Sequence, residues 1–224
     1  IGTGAAVVIA FTLTFLFGPP EGEVPAAAVE PGETDLLAPT ADESRAAAAA
    51  TGTPSGAGTT TLPAGTATGT EVAGTVEVLA PVDGRAVALT EVADKVFASE
   101  AMGKGLGIVP ADGHVHAPIS GTVKAAMKSG HAYGIKSPDG VEVLVHIGID
   151  TVQLDGRGFR PVVTRGDHVN AGDLLAVVDL DVVAEAGYDP TTLVVVTNTA
   201  QLAGVAPVAQ GTVTHGTPAV TVQI

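Results

Sequence analysis

From Val141 to Asp150 the chain alternates. Val141, Val143, Val145, Ile147 and Ile149 fall on one side, and Glu142, Leu144, His146 and Asp150 on the other. A period of two sends successive side chains to opposite faces of a strand. The valine–isoleucine series is therefore expected to face a core. His146 is expected on the outer face, beside an exposed Leu144. The same texture runs from Thr75 onward, with short Val/Ile/Leu runs broken by Gly, Pro and Asp turns. It predicts an all-β domain over 74–224, a β-sandwich with little helix.

Two earlier stretches read differently. Residues 1–18 are apolar and uncharged, and Pro19-Pro20 closes the run. A helix of that length spans about 27 Å, close to a bilayer core. A signal peptide would need a basic start and a small-residue cleavage site, so residues 1–20 are expected to be the end of a transmembrane helix. The chain opens directly in this run at Ile1, and a C-terminal piece of a longer protein is expected. Residues 21–73, rich in Ala, Thr, Gly, Pro and Glu, are expected to be a disordered linker, because they offer too little apolar surface to offset chain entropy.

Within the β-rich part an Ala-Pro-x-x-Gly element recurs, at Ala80–Gly84 and 37 residues later at Ala117–Gly121, with a looser echo at Ala206–Gly211. Together with Gly166-Asp-His-Val and Gly172-Asp-Leu-Leu175, these suggest internal pseudo-symmetry. A common turn in a chain with 29 Gly and 15 Pro is the plainer alternative.

Ser137-Pro-Asp-Gly140 is a turn signal between two strands. A hairpin symmetric about Pro138–Asp139 sets Lys136 opposite Val141, Ile135 opposite Glu142, and His131 opposite His146. Directly opposed residues share a face with Cβ atoms about 4.5–5.5 Å apart. A three-residue loop with a bulge at Gly140 is the other register; it shifts the pairing by one and would separate the histidines. In the symmetric register two imidazoles lie side by side, which suits a metal site, or a nucleophile with a helper.

Composition narrows the chemistry. The chain has no Cys, so disulfides, thiolate zinc sites and cysteine nucleophiles are excluded. It has no Trp and 3% aromatics, so the core must be aliphatic. The net charge of −14 divides evenly: eight acids and one base over 21–73, sixteen acids and nine bases over 74–224. Such a surface repels nucleic acid and suits a basic protein partner.

Several strings then resemble one family. They are Val92-Ala-Asp-Lys-Val-Phe97, Met102–Gly113, Leu144-Val-His-Ile-Gly-Ile-Asp-Thr-Val152, Gly156-Arg-Gly-Phe159, Gly166-Asp-His-Val with Gly172, and Val194-Val-Val-Thr-Asn198. Over about 75–200 they resemble, in order, the glucose-type enzyme IIA family of the bacterial sugar phosphotransferase system. Ile9–Gly18 looks like the end of the IIC channel of β-glucoside, sucrose and trehalose permeases. The resemblance implies a barrel-sandwich hybrid of the duplicated-hybrid-motif type and a phosphotransferase that needs no cofactor beyond its own phosphohistidine.

By the same resemblance His146 is the phosphoryl acceptor at Nε2, and the Gly148 carbonyl holds its Nδ1–H. His131 assists transfer, Ser129 orients it, and Asp150 is the nearby carboxylate. Phe97, Met127, Leu144 and Val152 form an apolar ring for partner proteins; Met127 departs from an aromatic residue often found there. The phosphocarrier HPr is the implied donor, a IIB cysteine the acceptor, and a IIC domain lies in the same chain at the cell membrane with IIA on the cytoplasmic side. In some members the two histidines bind zinc with a partner's carboxylate; for His131 and His146 this stays open, as do regulatory partners, the sugar and the oligomeric state.

His114 and His116 flank Val115 and share a strand face; two exposed edge residues are expected there. His168 and His215 show no partner in the sequence and are expected at the surface. A lysostaphin-type zinc peptidase is one rival, with His114-Val-His116 as its ligand element. A lipoyl- or biotinyl-type carrier is another, with Lys136 as the carrier lysine.

Overall fold

A computed structural model describes residues 74–224. These residues form strands almost throughout, because Val and Ile pack well on a pleated surface and Gly, Pro and Asp break the runs into short lengths. An eight-stranded sheet runs, edge to edge, β13 (Thr212–Val213), β2 (Gly84–Ala88), β3 (Lys104–Pro110), β11 (Thr192–Val196), β7 (Glu142–Ile147), β6 (Ala132–Lys136), β5 (Gly121–Ala126) and β9 (His168–Val169). Two three-stranded sheets complete the fold: β1 (Thr75–Leu79), β14 (Pro218–Gln223) and β12 (Gly204–Pro207); then β4 (His114–His116), β10 (Leu174–Val178) and β8 (Phe159–Pro161). All pairings are antiparallel. Helix is confined to α1 (Lys95–Ala98), α2 (Leu180–Glu185) and three 3-10 turns. The β-rich expectation holds.

The repeat carries a pseudo-two-fold arrangement. Leu79 N–H donates to Pro118 O at 2.7 Å, and His116 N–H donates to Pro81 O at 2.8 Å. Each partner is the other's counterpart at an offset of 37 residues. Ala80 N–H donates to Thr217 O and Ala117 N–H to Asp173 O, both at 2.8 Å. Gly84 and Gly121, which end the two elements, are each pressed against a neighbouring strand; a Cβ there would collide with the carbonyl oxygen of Val109 or of Lys136. The recurring glycine is thus a close-approach residue.

Two apolar layers follow. The main core holds Val78, Val82, Ile108, Val123, Tyr133, Ile135, Val143, Val145 and Val194 among others. A second cluster covers the far face of the central strands: Leu89, Val92, Phe97 and Met102 pack with Ala132, Leu144, Leu193 and Val195. Leu144 is therefore 2% exposed, against the expectation of an outward-facing side chain. The alternation holds from Val141 to Ile147, while Ile149, expected on the same face, lies beyond the end of β7 and packs in the second cluster; that second face is roofed by the segment between β2 and β3.

The expected transmembrane helix over 1–20 and linker over 21–73 lie outside the described residues. Among the described residues no helix is long and apolar enough to cross a membrane.

Candidate active site

His146 sits near the end of β7, on the roofed face. Its strand neighbours are Ala132 on β6 and Leu193 on β11, both fully buried. Phe97 leans over it, with ring centroids 5.4 Å apart and planes at 56°. Phe97 is held there by local sequence. The Asp94 carboxylate caps α1, accepting from the N–H groups of Val96 at 2.7 Å and Phe97 at 3.0 Å.

Beyond Ile147 the chain turns sharply. Gly148 has φ +74°, and a Cβ there would strike the Thr151 methyl group. The Thr151 hydroxyl donates to Ile147 O at 2.5 Å, and Ile149 N–H donates to Asp189 O at 2.8 Å. This turn brings the Gly148 carbonyl back to His146, whose Nδ1 donates to it at 2.8 Å. A carbonyl can only accept, so Nδ1 carries the proton and the neutral ring keeps its lone pair on Nε2.

His131 meets His146 edge to face, with centroids 5.2 Å apart and planes at 75°. The expected side-by-side rings are found, but the symmetric register is not. Ala132 pairs with His146 and Lys136 with Glu142. The loop has three residues, with Gly140 at φ +86° and Ser137 N–H bonded to Val141 O at 2.9 Å. Ile147 N–H donates to His131 O at 2.7 Å, so the residue opposite His131 is Ile147. His131 nevertheless reaches His146 because β6 begins only at Ala132. His131 lies in the preceding Ser129–Gly130 turn, where Gly130 has φ +74°, and strand alternation does not bind it.

His131 is 3% exposed, and its Nδ1 lies 2.6 Å from Ser129 Oγ. Burial pushes His131 down to about 3, with the neighbouring His146 adding to the effect. Burial likewise lowers His146 to about 4, opposed by its bond to the Gly148 carbonyl, which favours the protonated ring. At neutral pH both rings are neutral, as a nucleophilic imidazole requires.

The four expected ring residues divide. Phe97 and Leu144, each 2% exposed, belong to the second apolar cluster with the partly exposed Met127 packed against it, while Val152, also partly exposed, lies in the 3-10 turn Thr151–Leu154 and is not part of that cluster. Asp150 is exposed at φ +59°, and among the described residues its carboxylate makes no hydrogen bond. Asp94, Thr151 and Asp189 went unrecognised in the sequence, although Asp94 standing just before Lys95-Val96-Phe97 is a readable cap signal. The two histidines present two Nε2 atoms, and among the described residues no three His, Cys, Asp or Glu groups converge. A zinc ion here would take its remaining ligands from water or a partner.

The rival chemistries lack their residues. Lys136 lies in β6, paired to Glu142 at 3.1 Å, and not at a hairpin tip. His114 and His116 are on edge strand β4; His114 is exposed as expected, but His116, expected to be exposed too, is half-buried because its ring stacks on His215. His168 is exposed, with Thr122 Oγ1 at 3.0 Å from its Nδ1. His215, expected to be unpartnered, has two partners. Its Nδ1 lies 2.7 Å from Asp83 Oδ1, and its ring stacks on His116.

Several known proteins are similar to this chain in sequence or fold. A β-glucoside-specific EIIBCA component of Dickeya chrysanthemi is 48% identical over 141 residues, covering 63% of this chain; the chain spans only 22% of that protein's length. A glucose-specific EIIA component of Halalkalibacterium halodurans is 46% identical over 126 residues, covering 56% of this chain and 73% of the relative. The glucose permease IIA of Mycoplasma capricolum superimposes with a TM-score of 0.60 at 40% identity, covering 66% of this chain and 95% of that one. Residues 76–202 match the phosphoenolpyruvate-dependent sugar phosphotransferase system EIIA 1 family, and the chain belongs to that family.

Proposed function

We propose that His146 carries a phosphoryl group between a phosphocarrier of the HPr type and the cysteine of a IIB domain. The Nε2 lone pair attacks the phosphorus, the donor's P–N bond breaks, and the donor nitrogen keeps that electron pair. Nδ1 stays protonated, and the positive charge that develops on the ring is stabilised by the Gly148 carbonyl. The observation that carries this reading is the 2.8 Å bond from His146 Nδ1 to that carbonyl, since it frees Nε2 in a neutral ring.

His131 is the helper. With Ser129 donating to its Nδ1, its Nε2–H becomes a donor for the transferring oxygens, where positioning and charge stabilisation supply most of the catalysis. Met127 and Val152 form the rim that a partner covers, so that water is kept from the phosphohistidine. The acidic chain suits a basic donor. IIB and IIC modules, named together with IIA in the Dickeya relative, support a IIB acceptor and a membrane channel as the surrounding system. Zinc held by His131 and His146 is kept for a complex in which a partner supplies a carboxylate.

The test gives the chain labelled phosphate from phosphoenolpyruvate, enzyme I and HPr, then maps the acid-labile phosphohistidine. Label on His146 alone is expected. Label on His131, His114 or His168 would overturn the assignment.

A further inference from the structure

The molecule contains a second pair of histidines in contact, away from β7. His116, on β4, and His215, in the turn between β13 and β14, stack with centroids 4.2 Å apart and planes only 15° from parallel. The Nδ1 of each is engaged: His116 donates to Pro81 O at 3.3 Å, and His215 lies 2.7 Å from Asp83 Oδ1. A carbonyl or carboxylate on Nδ1 fixes the tautomer whose lone pair is on Nε2. Imidazoles that bind metals characteristically have this outer support.

Pseudo-symmetry shows what the fold itself needs at this place. The Asp83 carboxylate also accepts from the His215 backbone N–H at 2.6 Å. At the related position the Ser120 hydroxyl accepts from the Ala171 N–H at 2.9 Å. The turn is thus closed equally well with no imidazole on it. His116 stands where the other half has Leu79. Both rings are surplus to the architecture, and they come from opposite halves to meet each other.

We infer that His116 and His215 form a binding site for a divalent transition-metal ion of the imidazole-preferring class, with Asp83 and the Pro81 carbonyl as outer supports. A tetrahedral ion at about 2.0–2.1 Å from each nitrogen keeps two nitrogens about 3.3 Å apart, and because each lone pair lies in its ring plane, rings stacked 15° from parallel must tilt for both to point at one ion. His215 and Asp83 are both solvent-accessible, which leaves the ion a path in. Asp83 is engaged at the His215 Nδ1, and among the described residues no group of three His, Cys, Asp or Glu is placed to hold an ion, so water or a partner's side chain completes the shell. His114, next along β4, is outside the pair.

Zinc chloride alone is the probe, titrated into the full chain carrying His131→Ala and His146→Ala, so that the other histidine pair contributes nothing. Imidazole 15N resonances report the ligating atom. One equivalent is expected, with the Nε2 signals of His116 and His215 shifting together. His116→Leu and His215→Ala copy the residues at the symmetry-related positions, so the packing has a precedent within the same molecule. Outer supports alone are worth about 10–100-fold in metal affinity, and each ligand loss should cost at least that. His114→Ala should bind as before. Unshifted His116 and His215 resonances at saturating zinc, or affinity unchanged in both ligand variants, would overturn the site. The ring shifts decide the question even if a variant fails to fold.

Discussion

The chain uses two contacting imidazoles twice, and their surroundings divide the chemistry. The His131–His146 pair is edge to face, roofed by Phe97, flanked by Ala132 and Leu193, and anchored through neutral groups, a hydroxyl and a carbonyl. The His116–His215 pair is stacked, more open to solvent, and has a carboxylate within hydrogen-bonding distance. Burial lowers both members of the first pair strongly, to about 3 and about 4. It lowers His116 of the second pair too, with His215 adding to the effect, while His215 in turn pulls Asp83 below the usual carboxylate range through its hydrogen bonds. A desolvated pair is kept neutral and ready to attack an electrophile. A pair backed by a carboxylate is better suited to hold a cation.

The comparison breaks most sharply at His146. His146→Ala removes the proposed nucleophile, and phosphate labelling from phosphoenolpyruvate, enzyme I and HPr should vanish, while His168→Ala should label normally. Full labelling of His146→Ala would erase the distinction between the pairs. His131→Ala keeps the proposed nucleophile and loses the donor assigned to His131 in the proposed mechanism. Such a loss costs about 2.7–4 kcal/mol, or roughly 10²–10³ in rate. Labelling should therefore survive while transfer to IIB slows by that factor, as read in a rapid-quench assay.

Acid sharpens the contrast. An unfolded histidine titrates near 6.5, whereas the folded chain holds His146 and His131 neutral down to about 4 and about 3. Below pH 6.5 the unfolded chain takes up protons that the folded one refuses. Stability should be full above that value and fall, by an amount on the order of a few kcal/mol, as the pH drops toward 4. Urea midpoints from pH 7 to 4.5 check this, and His131→Ala should lose part of the slope. A midpoint independent of pH across that window would contradict the desolvated pair. The smallest effect is expected at Ser129. Ser129→Ala leaves the His131 Nδ1 without its hydroxyl at a cost of about 1–2 kcal/mol, so onward transfer should fall roughly tenfold with labelling intact.

Much of this was readable from residues. The alternation around Val143 and Val145 identified the core face, and the Leu-Val-His-Ile-Gly-Ile-Asp string pointed to the family the chain belongs to. The contact between His131 and His146 was also anticipated, but from a wrong register. Pro138-Asp139-Gly140 closes as a three-residue loop, because glycine at 140 accepts the left-handed conformation such a loop needs. Contact survives because His131 is in a turn, and periodicity has nothing to say about a turn. Leu144 was misread for a different reason. Which segment covers a sheet face is a tertiary fact, and periodicity gives Leu89–Met102 no destination; only the family resemblance set Phe97 beside Leu144. His116 and His215 are far apart in sequence, and only the folded chain brings them together.

The pairing of β1 with β14 has a consequence in time. Thr75 is opposite Gln223, and β14 is the central strand of its sheet. β1 finds no partner in that sheet until β14 has formed, so its ladder requires the longest loop closure in the domain. Non-local pairings of this kind slow folding. The sheet that joins the two ends should therefore close late, and while residues 218–223 are still inside the ribosome the emerging β1 has an open edge, the stage at which a chaperone would find it.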